Sequence, residues 1–575
     1  MLVRSRRICS LLLVCVLAFF AFEPIAQSQA YVGKPKLIVI IVIDQFRGDY
    51  LNRDRDKFKD RGFKLFMNEG AWFTNCYYDY ANTKTAPGHA TIGTGAYSDG
   101  HGIESNEWWD ASRSDEVKVS SVQDERYQLV DIPAGSIPAN APGAPSTAAK
   151  FLVGASPLNL RASTLGDELR LATQGKAKVF GISLKDRAAI LPVGQSANGA
   201  FWIDNASGQF TTSTYYMEHL PEWARTFNAS GRIAQAEREA SVEGTTQFYE
   251  LVGRTPAANS YEFDFAKALI TGEKLGQRGV TDLVAISLSA NDIQGHQLGP
   301  DSDSEEQMIL ALDRDFDKFF AWLDQTVGLS NMWIALSADH GIAPIPGEAA
   351  KLGIDSGLVN TEKLYDRVEG ELNKRHSPDA HVTYLMPGPD LPYIVLNRHA
   401  FEKAHIDEKT AEEEVAGLLP DAVAAQNPAP LPLLKANEPT PEPSQRRLPP
   451  ALQVAGVYTR LQMAGGALPP SEWGRVLAHS YASHGNWFVM LALGAYQMED
   501  IRSYGGTTHF SPWSYDRHVP LAIYGTPFAT GEYHERVAPV DLAPTFASEL
   551  GINFPSAAVG RVLTEALKPA HTMAQ

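Results

Sequence analysis

The chain has 575 residues, of which 44% are hydrophobic and 20% charged, and its formal net charge is −17. This length is more than one ordinary hydrophobic core accommodates, and the composition is that of a globular protein. The acidic balance argues against a nucleic acid polymer as partner, because a polyanion would be repelled.

The first thirty residues have the pattern of an export signal. The basic segment MLVRSRR precedes the apolar run ICSLLLVCVLAFFAF, and a small-x-small pattern follows at Ser28–Ala30. The apolar run is short for a membrane span and has the flanks of a signal peptide. We therefore expect a signal peptide over residues 1–30, a periplasmic or secreted product, and no membrane span after cleavage; an uncleaved anchor is the alternative. Only Cys76 would remain, so no internal disulfide is expected.

Apolar runs and helix punctuation predict alternating strands and helices along the rest of the chain. The predicted strands are 37–43, 178–183, 282–288, 332–338, 487–493 and 520–524. The predicted helices are 164–174, 261–274, 304–325 and 541–551. This alternation predicts an α/β fold, with a mostly parallel central sheet that carries helices on both faces.

We expect one catalytic domain over residues 31–575, interrupted by inserted cap segments near 110–165 and 350–480. The second of these segments holds few residues with catalytic chemistry. It also contains the proline-rich stretch 427–450, which predicts an extended, exposed loop.

Acidic residues follow three of the predicted strands. The strand KLIVIIVI leads into Asp44, DLVAISLSAN leads into Asp292, and MWIALSA leads into Asp339. A single aspartate at a strand end is often only a turn or capping residue. Parallel strands, however, end at one edge of their sheet, where α/β proteins bind ligands. Three carboxylates gathered there would repel one another unless cations were bound.

Histidines and a hydroxyl accompany these aspartates. His296 follows Asp292 by one helical turn, His340 adjoins Asp339, and His509 lies in the loop GGTTHFSP. Aspartate, histidine and an alkoxide together suit zinc. The alkoxide would come from Thr85 in TKTAPGHAT, where Pro87 and Gly88 indicate a sharp turn into the helix HATIGTG. Its hydroxyl is either an ordinary helix cap or a nucleophile activated by metal, and both roles are compatible.

Taken together, these motifs resemble the alkaline phosphatase superfamily, in particular the periplasmic branch with a threonine nucleophile that is related to nucleotide pyrophosphatase/phosphodiesterases. The resemblance runs from about residue 36 to 555 and implies two Zn²⁺ at the sheet edge. It assigns one zinc to Asp292, His296 and His509. It assigns the other to Asp44, Asp339 and His340, with Thr85 beside it as the nucleophile that forms a phosphothreonine.

The resemblance also implies three phosphoryl-binding side chains, Asn106, Lys185 and Arg187. Lys185 and Arg187 would share one face if the segment SLKDR were extended; otherwise they are ordinary solvated charges. Two Zn²⁺ would be neutralised by three aspartates and an alkoxide. Lys185 and Arg187 then supply two further positive charges, which suits the dianion of a phosphate monoester.

These inferences predict a zinc-dependent alkaline phosphatase that acts on small-molecule phosphate esters, with broad tolerance of the leaving group. The nearest alternative is a phosphodiesterase or nucleotide pyrophosphatase built on the same metal core. A more distant alternative is a non-catalytic protein that binds zinc or phosphate.

Overall fold

The computed structural model describes residues 34–110, 118–132, 153–388, 390–426, 451–483, 486–501 and 505–568. The predicted signal peptide, the proline-rich stretch 427–450 and a large part of the predicted cap near 110–165 lie outside the described residues. Within these ranges, no helix is both long enough and apolar enough to cross a membrane.

Within the described residues, nine strands form the central sheet, and we label them β1 to β9 in chain order. They are Leu37–Ile43, Ala71–Phe73, Val179–Ser183, Gly199–Ile203, Phe210–Thr211, Asp282–Leu288, Met332–Ser337, Leu521–Tyr524 and Gly531–Tyr533. Their order across the sheet is β9-β2-β8-β7-β1-β6-β3-β4-β5.

The centre of the sheet is parallel. Strand β1 pairs in parallel with β6 on one side and β7 on the other, and β6 pairs in parallel with β3. Every residue of β1, LIVIIVI, is at most 1% exposed, as expected for a central strand covered on both faces. Ile43 lies opposite Leu288, and Val42 lies opposite Ser337, so β1, β6 and β7 end at nearly the same level.

Helices flank the sheet, and the chain's alternation of strand and helix accounts for this arrangement. Across the described ranges, the helices of eight or more residues are Thr85–Thr94, Leu165–Ala172, Arg232–Glu239, Pro256–Glu273, Ala290–Leu298, Asp303–Thr326, Thr361–His376, Glu408–Ala424 and Leu542–Leu550. The shorter helices are Tyr50–Arg53, Phe63–Glu69, Ser98–His101, Asp186–Ile190, Glu222–Asn228, Phe248–Leu251, Pro346–Lys351, Arg398–Lys403, Arg460–Ala464, Glu472–Ala478 and Ser514–Arg517.

The segment between β7 and β8 builds a second hydrophobic core. Its members run from Val359 to Leu493 and include side chains of the helices Thr361–His376 and Glu408–Ala424. A three-stranded antiparallel sheet belongs to this segment, in the order Tyr393–Val395, Phe488–Leu493, Val454–Thr459. We call the stretch from Gly357 to Glu499 the inserted segment.

Three further pairs of short strands lie outside these two sheets in the described ranges. The pairs are Gly357–Val359 with Gln497–Glu499, Glu107–Trp109 with Lys118–Ser120, and Gln123–Gln128 with Val153–Ala155.

The predicted α/β class, with a large and mostly parallel central sheet, is confirmed, and the strands predicted at 37–43, 178–183, 282–288 and 332–338 match within one residue. The strand predicted at 487–493 exists but belongs to the sheet of the inserted segment. The strand near 520–524 is in the central sheet but runs antiparallel to both of its neighbours. An apolar run predicts that a strand forms. It does not show which sheet the strand joins or in which direction it pairs, so the sequence could not decide either finding.

Burial in the central sheet predicts a clear stability difference between two leucines. Leu283 in β6 is 0% exposed, whereas Leu171, on the helix Leu165–Ala172, is 67% exposed. We expect Leu283→Ala to lower the free energy of unfolding by about 2–5 kcal/mol, because it leaves a cavity in a packed layer. The matched Leu171→Ala should change it by less than about 0.5 kcal/mol. Denaturant titration followed by circular dichroism measures both, and equal effects would contradict this view of the core.

Candidate metal centre and active site

Three aspartates meet at the carboxyl edge of the central strands. Asp44 follows β1 directly, Asp339 comes two residues after β7, and Asp292 lies on the helix Ala290–Leu298 that begins after β6. They are 0%, 0% and 5% exposed, respectively. The common level at which the parallel strands end therefore brings together three carboxylates that are distant in sequence.

Together with two of the predicted histidines, these aspartates form two groups that have the geometry to hold a metal ion. One consists of Asp44, Asp339 and His340, and the other of Asp292, His340 and His509. Within each group the potential ligand atoms all lie within 4.8 Å of one another, and every member is buried.

Each of the three predicted histidine ligands has Nδ1 against a main-chain carbonyl. The distances are 3.0 Å from His340 to Gly341 O, 3.0 Å from His296 to Thr507 O, and 2.5 Å from His509 to Thr83 O. A proton on Nδ1 donated to a carbonyl leaves Nε2 as a lone-pair donor, which is the usual preparation of a metal-binding imidazole. Burial also lowers the pKa of His340 and of His509, which favours their neutral forms.

The Nε2 atoms of these histidines face the aspartates. That of His296 lies 3.2 Å from Asp292 Oδ1, and that of His509 lies 3.9 Å from the same oxygen. That of His340 lies 3.5 Å from both Asp44 and Asp339. With one free nitrogen, His340 can serve only one ion, although it is geometrically close to both groups. The ring of His340 stacks on that of His509 with centroids 3.7 Å apart, so the two groups are contiguous.

Unpartnered buried atoms test whether a cation fits here. Of the buried side-chain atoms that have no hydrogen-bond partner within the described residues, three lie together here: Asp44 Oδ1, Asp339 Oδ2 and His340 Nε2. Leaving such atoms unsatisfied is costly, and native proteins rarely do so without a ligand. All three are electron-pair donors in one small volume, and this donor set suits zinc or a similar divalent cation.

Lys185 partly balances the negative charge of the site. Its Nζ lies 2.6 Å from Asp44 Oδ2 and 2.6 Å from Asp292 Oδ2. Burial raises the pKa of Asp44, and the neighbouring charges of Asp292 and Asp339 raise it further. Burial alone would also raise the pKa of Asp292, but the charges of Lys185 and His296 outweigh it and hold that pKa well below its usual range. One lysine against three carboxylates leaves an excess of negative charge, which favours cation binding.

Thr85 is the first residue of the helix Thr85–Thr94, whose packing against Asp339 is unusually close. A Cβ added to Gly88 would lie 2.4 Å from the main-chain oxygen of Asp339 and 2.5 Å from its Cβ. Only glycine permits this approach of the two backbones. No side chain caps this helix, and Lys84, rather than Thr85, occupies the capping position. The ordinary capping role considered for Thr85 is therefore not the one it takes.

Two residues that the sequence analysis did not single out hold this arrangement together. Gln45 donates its main-chain N–H to Asp339 Oδ1 at 3.0 Å and its side-chain amide to Asp292 Oδ1 at 2.7 Å. It does so with φ +64°, a left-handed conformation that is unfavourable for a non-glycine residue. His89 has Nδ1 2.8 Å from Thr85 O and 3.3 Å from Asp339 Oδ2. The sequence offered one indication of their roles: Gln45 directly follows Asp44, and His89 lies four residues after Thr85.

The predicted phosphoryl-binding residues divide into two positions. Asn106 and Arg187 both line a cavity of about 600 Å³, together with Lys118, Trp202 and Asp390. Asn106 Oδ1 accepts a hydrogen bond of 2.9 Å from Ala86 N, in the first turn of the Thr85 helix. Lys185 instead contacts the aspartates. The extended shared face expected for Lys185 and Arg187 does not form, because the chain turns into the helix Asp186–Ile190 immediately after Lys185.

The comparison with known proteins agrees with this geometry. Residues 38–450 match the family model described as type I phosphodiesterase / nucleotide pyrophosphatase. A Myroides odoratus protein named calcium-transporting ATPase is 31% identical, over 97% of this chain and 99% of its own length. Alkaline phosphatase PafA of Elizabethkingia meningoseptica is 33% identical, over 94% of this chain and 96% of its own.

A solved structure extends the likeness to three dimensions. The crystal structure of wild-type alkaline phosphatase PafA superposes with a TM-score of 0.77 at 29% identity, covering 93% of this chain and 100% of that one. The resemblance inferred from the motifs is thereby confirmed at the level of family and fold. The chain belongs to the type I phosphodiesterase/nucleotide pyrophosphatase family, within the alkaline phosphatase superfamily.

Proposed function

We infer that this chain is an alkaline phosphatase, a metal-dependent hydrolase of phosphate monoesters. The observation that carries this conclusion is the buried set of three strand-end carboxylates and three histidines beside the helix that begins at Thr85. Its relatives named alkaline phosphatase, which match over nearly their whole length, support the same reaction class.

The ligand assignment proposed from the sequence is supported by the atoms that face one another. Asp44, Asp339 and His340 would hold one zinc ion beside Thr85, and Asp292, His296 and His509 would hold the second. The choice of His296 for the second ion rests on the 3.2 Å approach of its Nε2 to Asp292 Oδ1 and on the single free nitrogen of His340. When bound, such ions supply Lewis-acid stabilisation of the attacking and leaving oxygens.

In the proposed reaction, the Thr85 hydroxyl gives up its proton and Oγ1 bonds to phosphorus. The bond from phosphorus to the ester oxygen breaks, and that oxygen takes up a proton and leaves as the alcohol. Water then cleaves the phosphothreonine, which regenerates the Thr85 hydroxyl and releases inorganic phosphate. Thr85 begins the helix Thr85–Thr94, and the positive end of the helix dipole there favours the phosphoryl anion. Gln45 and His89 keep Asp339 and the Thr85 turn in fixed relation during these steps.

Three further side chains would bind the phosphoryl oxygens. Asn106 has its Oδ1 tied to Ala86 N, which leaves its NH₂ free to donate. Arg187 offers a planar fork to the same cavity, and Lys185 adds a second positive charge beside Asp44 and Asp292. A phosphate monoester carries two negative charges and a diester one, so this pair of cations favours the monoester.

A phosphodiesterase or nucleotide pyrophosphatase is the second candidate, and the name of the matching family favours it. The two reactions share the nucleophile and the metal centre. They differ in whether the cavity must accept a second ester group in place of the charged oxygen that Lys185 and Arg187 would bind.

We further propose that the chain is exported to the periplasm or medium and has one catalytic domain with inserted caps. The N-terminal pattern of basic, apolar and small residues supports the export signal. The separate hydrophobic core of the inserted segment supports the cap assignment.

Replacement of the nucleophile tests the proposed mechanism. We expect Thr85→Ala to lower kcat by about 10³-fold or more and to abolish acid-stable phosphoprotein, because no other hydroxyl takes its position. Thr85→Ser should retain measurable turnover and a phosphoserine. Quench-flow with a ³²P-labelled monoester and mass spectrometry of the trapped peptide measure both. Phosphoenzyme trapped in Thr85→Ala would contradict the assignment.

Loss of phosphoryl-binding cations should separate the two candidate functions. We expect Lys185→Ala and Arg187→Ala each to lower kcat/KM for aryl phosphate monoesters by about 10²-fold, and to lower it far less for aryl diesters. Arg225→Ala, at an exposed position outside the cavity, is the matched control and should leave both unchanged. Equal losses on monoesters and diesters would favour the diesterase.

Metal removal should affect stability as well as turnover. Bound cations relieve the repulsion among Asp44, Asp292 and Asp339, so chelation should lower the thermal unfolding midpoint. Saturation at 100 times Kd contributes about 2.7 kcal/mol. We expect two zinc ions per chain by elemental analysis, about half that in Asp339→Asn, and no change in the exposed control Asp379→Asn. An unchanged unfolding midpoint after complete chelation would contradict the proposed centre.

A further inference from the structure

One carboxylate holds the residues that precede both Thr85 and Asn106. Asp390 Oδ1 accepts a hydrogen bond of 2.5 Å from Lys84 Nζ, and Asp390 Oδ2 accepts one of 2.9 Å from Ser105 Oγ. Lys84 Nζ also donates to Ser105 Oγ at 3.1 Å, which closes a three-membered network. The proposed nucleophile and the proposed phosphoryl-binding amide are each the next residue along the chain.

The ion pair in this network is largely shielded from water. The Lys84 side chain is 2% exposed and that of Asp390 is 31% exposed. Lys84 Nζ also lies 4.6 Å from the centroid of the Phe510 ring, next to His509. A buried ammonium without a partner is strongly unfavourable, so Lys84 and Asp390 depend on each other for their positions.

Asp390 belongs to the inserted segment and is fixed there by the main chain. Its carbonyl accepts a hydrogen bond of 3.0 Å from Tyr393 N, at the start of the strand Tyr393–Val395. The Tyr393 hydroxyl donates to Ser480 O at 2.7 Å, and Ser480 Oγ in turn accepts from Ala81 N at 2.7 Å. The inserted segment therefore forms hydrogen bonds with two residues just before Thr85, namely Ala81 and Lys84.

The network acts on parts that the proposed reaction requires in fixed relation. Lys84 is extended, with φ −130° and ψ 161°, and directly precedes the first residue of the Thr85 helix. Asn106 Oδ1 is bound to Ala86 N in that helix. A shift of either Lys84 or Ser105 would therefore change the spacing between the Thr85 hydroxyl and the Asn106 amide. A misplacement of about 1 Å at such a site can cost about 10²-fold in rate.

We propose that the Lys84–Asp390 ion pair is a positioning device through which the inserted segment sets the spacing between Thr85 and Asn106. Asp390 is thus a positioning residue of the active site. This inference rests on the proposed phosphatase function, in which Thr85 is the nucleophile. A purely structural ion pair would stabilise the fold without any selective effect on phosphoryl transfer.

The test uses the full-length enzyme with three variants, Asp390→Asn, Lys84→Met and their combination. We expect each single variant to lower kcat for an aryl phosphate monoester by about 10- to 100-fold, with a change in KM below about 3-fold. Metal content and the fraction of folded protein should stay at the level of the unsubstituted enzyme. Because both residues act through one contact, the double variant should be less than about 3-fold slower than the slower single variant.

A matched control comes from the same inserted segment. Glu371 pairs with Lys374 at the surface of the helix Thr361–His376, so Glu371→Gln removes an ion pair but should leave kcat within about 2-fold. If Asp390→Asn folds poorly, Lys84→Met still tests the idea, because it leaves only a partly exposed carboxylate without its partner.

Three outcomes would overturn the proposal. They are single variants with unchanged kcat, losses that merely follow the unfolded fraction, and fully multiplicative effects in the double variant. Failure of the proposed function would look different: Thr85→Ala would then retain turnover, whatever the Asp390 variants do.

Discussion

The alignment of three parallel strand ends is the constraint on which the rest of the site depends. Because β1, β6 and β7 are paired in register, the chain leaves all three at one level, and each exit carries an aspartate. The strands themselves are completely buried, so the exits cannot be displaced without disturbing the core. The sheet thus forces like charges together, and the surrounding residues accommodate that repulsion.

Accommodation takes two forms, one electrostatic and one geometric. Lys185 bridges Asp44 and Asp292, while three histidines turn their Nδ1 atoms to main-chain carbonyls and their Nε2 atoms to the carboxylates. Several buried oxygen and nitrogen atoms that could donate an electron pair to a metal still lack hydrogen-bond partners. A site with surplus negative charge and unsatisfied lone pairs suits divalent cations, and this is the physical link between the fold and the chemistry we infer.

The proposed nucleophile, Thr85, is held from two sides. On the sheet side, Gly88 lets the Thr85 helix pack directly on the Asp339 backbone, and Gln45 ties Asp339 to Asp292. On the other side, the inserted segment contacts Lys84 and Ser105 through Asp390. The central sheet therefore fixes the proposed metal ligands, and the inserted segment reaches the residues that would contact the phosphoryl group. Substitutions at Asp390 in the inserted segment would therefore alter phosphoryl transfer without altering the proposed metal ligands.

The sequence by itself determined the α/β class and the central strands, and it supplied the side chains that we propose as chemically active, because apolar runs and the residues that end them are local features. It also indicated a cation-dependent site, since three strand-end aspartates need counter-charge. Only the tertiary structure decided that the 487–493 strand lies in a separate sheet, that Arg187 turns into a helix, and that Gln45, His89 and Asp390 hold the site together. Those features depend on contacts between residues far apart in the chain, such as Lys84 with Asp390, and no local periodicity or spacing encodes which distant side chain will arrive.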